Sequence, residues 1–225
     1  MDAFKRKRGA LRLRYLLIPA VFCLTLFVSS IRADSVQYTV ALDTSAINGT
    51  SAQLAFDFIS GGSSTNSVTV SGFSTDGTLG AVSPTGGVSG TLPGTVTLTD
   101  SSFFNEYLTD ITLGTDISFL VSATNNAPAS GFFPDAFSLS LLDPLTGLPL
   151  FATSDPTGAS TLTVLSLDGS ATGSLSAYTA PGGQAILTAT STAVPEPSTL
   201  LLMANGLAFL LWRCRARPET KTVRY

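Results

Sequence analysis

Histidine is absent from all 225 residues, and no lysine, arginine or cysteine occurs between Asp34 and Val194. Each absence removes a class of chemistry from that stretch. A serine or threonine nucleophile there would lack a histidine or lysine base. Phosphates would find no cationic clamp, and zinc would find no nitrogen or sulfur ligands. No disulfide can form within it. A glycine-rich loop between a strand and a helix is also missing, as is any apolar period of 3.6 residues. The titratable acids that remain are eleven aspartates and Glu106. With no base to offset them, they repel nucleic acid and anionic lipid headgroups. Glu106 paired with an aspartate is the one arrangement that recurs in enzymes, as a glycosidase pair. Twelve carboxylates offer many chance pairs, so the reading is a protein with no catalytic residues and no cofactor. The Asp-Pro and Asp-Gly turns supply oxygen ligands of the type calcium takes. No Asp-x-Asp-x-Asp-Gly loop is present, and turn aspartates ordinarily bond backbone, so no metal ligands are assigned.

The basic residues are at the ends. Seven lie at or before Arg32 and five at or after Arg213, which leaves the whole chain at a formal charge of only -3. The first group opens a secretory signal peptide over residues 1–33. Lys5-Arg6-Lys7-Arg8 with Arg12 and Arg14 is its basic region, and Leu16–Val28 is its 13-residue apolar core. Ser29 to Ala33 is a polar, small-residue end with cleavage expected after Ala33. Thirteen residues rise about 20 Å as a helix, short of a hydrocarbon core of about 30 Å. Bulky Phe22 before Cys23 does not suit lipoprotein processing, so no lipid is expected there.

From Asp34 the pattern turns to short alternating runs. Val36/Tyr38/Val40/Leu42, Leu54/Phe56/Phe58, Val68/Val70, Val96/Leu98 and Phe137/Leu139/Leu141 alternate with polar or small residues, Ile117/Phe119/Val121 with Ser118 and Leu120, and Leu162/Val164 then Leu165/Leu167 make another run. Period-2 runs rich in β-branched and aromatic residues read as half-buried strands. Asn48-Gly49, Asp76-Gly77, Asp143-Pro144, Asp155-Pro156 and Asp168-Gly169 punctuate them as turns. About ten such strands predict an all-β domain over 34–180, an antiparallel β-sandwich of jelly-roll-like form. Within it Ser101–Leu108 reads as one helical turn. Gly80–Gly94 and Ser122–Pro134 read as long loops, the places for a binding function. Phe132 and Phe133 are expected as core or strand-edge residues, with exposed stacking groups as the alternative. A last strand is expected near Ser174–Tyr178, followed by a Ser/Thr-rich flexible stalk over 181–194.

Then come Val194-Pro195-Glu196-Pro197-Ser198-Thr199, the apolar run Leu200–Trp212, and Arg213, Arg215 and Arg217. The two prolines hold the chain extended. The apolar run predicts a transmembrane helix over 199–212, with the arginines as a cytoplasmic membrane stop and 218–225 as a cytoplasmic tail. These residues resemble the PEP-CTERM sorting segment of Gram-negative bacteria, here 195–217. The resemblance implies recognition by an exosortase and processing near Pro195, Glu196 and Pro197. Residues 133–143 and 148–156 also resemble the central segment of a group of PEP-CTERM proteins with β-sandwich ectodomains.

The expected protein is therefore exported across the inner membrane, tethered as a precursor, and then placed at the cell surface or in the extracellular matrix. It is expected not to be an enzyme. Its expected partners are signal peptidase, an exosortase, the membrane and exopolysaccharide, with no nucleic acid. The alternative is an extracellular carbohydrate- or Ca²⁺-dependent binding or adhesion module.

Overall fold

A computed structural model describes residues 35–62, 65–170, 172–192 and 205–206. From residue 35 to 192 the described chain is all-β, with twelve strands and one 3-10 turn at Ser45–Ile47. The strands are β1 (Ser35–Asp43), β2 (Ser51–Ile59), β3 (Ser67–Thr75), β4 (Thr78–Thr85), β5 (Val88–Gly90) and β6 (Val96–Thr99). They continue with β7 (Phe104–Thr112), β8 (Asp116–Thr124), β9 (Asp135–Leu142), β10 (Thr163–Leu167), β11 (Ser174–Ala177) and β12 (Ile186–Thr192).

Two antiparallel sheets of six strands result, in the orders β12-β1-β8-β3-β6-β5 and β11-β10-β9-β2-β7-β4. Among the first eight strands the pairing is nested: β1 with β8, β2 with β7 and β3 with β6. That is the order obtained by rolling up one long hairpin, as in a jelly roll. The short β5 departs from it by pairing with β6 instead of β4. Strands β9 to β11 extend the second sheet, and β12 extends the first beside β1.

The alternation seen in the sequence sets the core. Val36, Tyr38, Val40 and Leu42 of β1 and Ile117, Phe119, Val121 and Ala123 of β8 are all buried. So are Leu54, Phe56 and Phe58 of β2 and Phe137, Leu139 and Leu141 of β9. Phe56 joins the sheets: its ring meets Phe119 edge-on at 5.1 Å and lies 6.2 Å from Tyr107 and 6.0 Å from Phe137. Such ring contacts add about 0.5–1.5 kcal/mol each beyond area burial.

Four expectations need correction. Ser101–Leu108 is not a helical turn: Phe104–Leu108 is the first half of β7, paired residue for residue with β2. Its alternation is hidden because the buried positions include polar Asn105 and Thr109. The Asn105 amide donates to the carbonyls of Phe58 (3.2 Å) and Ser102 (2.7 Å), and its oxygen accepts from Gly87 N–H at 2.7 Å. Gly80–Gly94 is not a loop but holds most of β4 and all of β5. As a sheet edge with a register shift between Leu79 and Val82, β4 buries no residue and so carries no apolar period. Gly80 is required there, since a Cβ would lie 2.9 Å from the Asp110 Cβ. Of Ser122–Pro134, residues 122–124 belong to β8. The expected stalk over 181–194 is replaced from Ile186 to Thr192 by β12, which pairs with β1 over seven residues. The sheet structure therefore extends past residue 180.

Because Phe56 bridges both sheets, Phe56→Ala is expected to cost about 3–5 kcal/mol, read from the urea midpoint. Phe133, 80 % exposed, should change stability by less than about 0.5 kcal/mol on truncation to alanine. Similar losses for the two would refute this account of the core.

Candidate functional site

Five large apolar side chains crowd one end of the second sheet while remaining in solvent. Phe103, Phe104, Phe132, Phe133 and Ile59 are 76, 40, 53, 80 and 38 % exposed. They reach this place by separate routes. Ile59 and Phe104 are opposed on β2 and β7. Ser60 N–H donates to the Phe103 carbonyl at 2.9 Å. A Cβ on Gly61 would lie 1.9 Å from the Phe133 carbonyl oxygen, so only glycine lets these segments meet. A Cβ on Gly62 would lie 3.4 Å from the Phe132 ring. Phe132 and Phe133 are therefore exposed groups, and their expected place in the core or at a strand edge is corrected. Exposed apolar side chains brought together in this way make this end of the sheet the candidate interaction surface.

A buried polar network fixes the loops beneath it. Asp135, fully buried, accepts from Gly61 N–H at 2.6 Å and from the Asn66 amide at 2.9 Å. The Asn66 oxygen accepts from Asn126 N–H at 2.7 Å, and the Asn66 amide also donates to the Asn126 carbonyl at 3.2 Å. Asn125 repeats the scheme, donating to the Ser170 carbonyl at 2.6 Å and accepting from Gly169 N–H at 2.9 Å. Buried amides of this kind specify one loop geometry because any other leaves polar groups unsatisfied.

Beside the aromatic cluster, on the same face, lies a carboxylate pair. Asp57 is two residues from Ile59 and Glu106 two from Phe104, and the pair are directly opposed across β2 and β7. Burial first, then the Glu106 charge and a hydrogen bond with it, push Asp57 up to about 7, against a weaker opposing bond with Ser138. Burial also raises Glu106, partly offset by the bond from Asp57. Burial and the opposed Glu106 thus favour the protonated form of Asp57, in which one proton is shared with Glu106. Asp57 Oδ1 is buried without a hydrogen-bond partner.

Other aspartates are committed to turns. For Asp155 burial works to raise the carboxyl, but bonds from the N–H and hydroxyl of both Thr157 and Thr161 outweigh it and hold it at about 2. Asp76 is lowered first by the Thr115 hydroxyl and then by Asp116 N–H. Asp143 is lowered by Leu145 and Thr146 N–H. Among the described residues no group of three or more acids, cysteines or histidines could hold a metal ion.

Ala33, Pro195, Glu196, Pro197, Arg213, Arg215 and Arg217 all lie outside the described residues, as do the signal peptide and nearly all of the expected transmembrane helix. Asn205 and Gly206, the described part of 199–212, are helical and exposed. Among the described residues no helix is long and apolar enough to cross a membrane. A family model described as the PEP-CTERM protein-sorting motif matches residues 193–216. This chain carries that sorting motif. The match includes Pro195, Glu196, Pro197, Arg213 and Arg215 and ends one residue before Arg217. No curated protein and no solved structure matches the chain. The motif implies an exported, exosortase-sorted protein.

Reading the sequence for catalytic patterns missed Asp57, Ile59, Phe103 and Phe104. One signal was available: the chain contains two Phe-Phe pairs, 103–104 and 132–133, and both are in this cluster.

The carboxylate pair has a stability signature. Asp57 is raised from 3.8 to about 7, so its protonated form is favoured by folding. That contribution is fully present below about pH 4 and is lost as pH rises toward 7. Asp57→Asn should therefore raise the melting temperature at pH 8 by at least about 2–4 °C, roughly 1 kcal/mol. The gain should shrink toward pH 4. A gain equal at both pH values, or none, would remove the shared proton.

Proposed function

We propose that this is a non-enzymatic surface or extracellular-matrix protein of a Gram-negative bacterium, addressed by its C-terminal motif. The observation that carries the reading is the sorting-motif match at residues 193–216. In this reading signal peptidase cuts after Ala33. The segment 199–212 then tethers the precursor with Arg213, Arg215 and Arg217 on the cytoplasmic side. An exosortase then acts near Pro195, Glu196 and Pro197, and the β-domain passes to the surface or matrix, where exopolysaccharide is the expected surrounding polymer.

The absence of catalysis is supported by chemistry. The domain has carboxylates and no other strong acid–base or nucleophile set. Asp57 and Glu106, directly opposed across β2 and β7, are hydrogen-bonded together. A retaining glycosidase needs its carboxyl groups about 5–5.5 Å apart to admit the anomeric carbon, and an inverting one needs more.

Processing is tested by expressing the chain with and without an exosortase and measuring the C-terminal mass. Loss of Leu200–Tyr225 only when the enzyme is present is expected. A mature chain that keeps those residues beside an active exosortase would end the processing proposal.

The second reading, a carbohydrate-binding or adhesion module with the same address, is favoured by the exposed phenylalanine cluster. An aromatic face carries negative charge density that suits the C–H groups of a pyranose ring, and neighbouring carboxylates accept from hydroxyls. On a glycan array the native chain should then retain a polysaccharide, and Phe132→Ala with Phe133→Ala should weaken retention by about tenfold or more, roughly 1.4 kcal/mol. Loss on EDTA treatment would assign a Ca²⁺-dependent mode. Retention unchanged by the double substitution would take the cluster out of the reading.

A further inference from the structure

Four strands end the two sheets, and three of them are blunted. β5 has three residues and closes on Gly90 at φ 87. β11 has four. β4 breaks register at Leu79/Val82 and contains Pro84. Short edges, bulges and proline are the devices that stop a sheet from recruiting another strand.

β12 has none of them. Ile186-Leu187-Thr188-Ala189-Thr190-Ser191-Thr192 pairs with β1 without a register break and contains no proline, glycine or charge. Leu187 and Ala189 pack against the core yet stay only partly buried, and among the described residues no strand lies beyond them. A seven-residue, regular, uncharged edge with half-covered apolar residues is an acceptor for another strand.

We propose that the occupant is β12 of a second copy of this chain, antiparallel about a two-fold axis through Ala189. The strand's own order argues for self-pairing. Thr188-Ala189-Thr190 is symmetric about Ala189, so the axis sets Ala189 opposite Ala189, Thr188 opposite Thr190 and Leu187 opposite Ser191. A two-fold interface requires one patch to complement itself. The opposed threonines form a cross-strand pair of a favourable type. The axis stands perpendicular to the sheet, so Leu187 and Ala189 of both copies stay on the core side and cover each other's open flanks. Charge selects the place. Between Asp34 and Val194 each copy carries twelve acids and no base, so two copies repel over most of their surface. On β12 itself there is no charge, and the nearest acid in register is Asp43 opposite Ile186, at the strand's end. The result is one continuous twelve-stranded sheet. The pairing is independent of the sorting reading and of the phenylalanine cluster, which belongs to the other sheet.

The test uses the full chain in detergent, followed by sedimentation velocity. The native chain should be a dimer whose dissociation constant falls as NaCl is raised, because salt screens the acidic domains. Thr188→Glu with Thr190→Glu should weaken self-association by at least about tenfold, and Thr188→Lys with Thr190→Lys likewise, since each sets like charges opposite. An equimolar mixture of the two should dimerise again, because every opposed pair then has opposite signs. A second measurement covers a variant that fails to fold. In a Cys23→Ser, Cys214→Ser background, Ala189→Cys should cross-link to itself on mild oxidation. Thr190→Cys should do so about tenfold less, because the axis leaves that residue diagonal to its copy, beyond disulfide reach. A monomeric native chain, a mixture no better than its components, or equal cross-linking at 189 and 190 would each overturn the proposal.

Discussion

The contact on which the rest of this domain depends is the one between Phe56 and Phe119, a ring from each sheet meeting edge-on at 5.1 Å. Without cysteine, histidine, lysine or arginine in the domain, burial between two sheets is left as the main adhesive. Phe56 sits mid-strand on β2, between β7 and β9, and its neighbours across those pairings are Tyr107 and Leu139. Phe119 sits mid-strand on β8, between β1 and β3. The two central strands of the sandwich thus meet through these rings. Phe73, stacked 6.3 Å from Phe119, extends the contact toward the bulged end of β3.

Strict alternation follows from that contact. If Phe56 faces the core, Asp57 must face the other way, and so must Ala55 and Ile59. The same holds on β7, where buried Tyr107 puts Glu106 and Leu108 on the outer face. The carboxylate pair is therefore a consequence of register: a one-residue slip of β7 would separate Asp57 from Glu106 and turn Tyr107 outward. The phenylalanine cluster lies at the end of these same strands. Its exposed rings cost solvation that the core does not repay locally, and the Asp135–Asn66–Asn126 network beneath holds the loops that display them.

The legible part of the fold was the part that buries a full row of apolar side chains. β1, β2, β8 and β9 each place an apolar residue at every second position over most of their length, and each lies inside a sheet with its inner face on the core. The illegible part was at edges and at polar exceptions. β4 buries nothing, and β12 covers its inner face only in part, so neither shows a strong period. β7 lies inside its sheet, but half of its inward positions are the polar Asn105 and Thr109, and the bonds that tie Asn105 to Phe58 and Gly87 are visible only in three dimensions. The site follows the same division. Its aromatic content was present as two Phe-Phe pairs, yet their convergence depends on Gly61 admitting the Phe133 backbone, which no local pattern announces.

The strand that replaced the expected stalk changes how the C-terminal motif has to be read. Thr192 is still in register with Gln37 of β1, and Pro195 is three residues later. Three extended residues reach at most about 10–11 Å, whatever conformation they take. A flexible stalk would have let an enzyme approach the motif far from the folded domain. Here a cut near Pro195, Glu196 and Pro197 has to be made against the sheet edge, or after β12 has separated from β1. Edge strands held by a single neighbour are the part of a sandwich that opens at least cost. The uncharged threonine-rich β12 therefore couples two properties that the sequence presents as unrelated: how closely the domain is held to its sorting motif, and how readily the edge of its sheet is exposed.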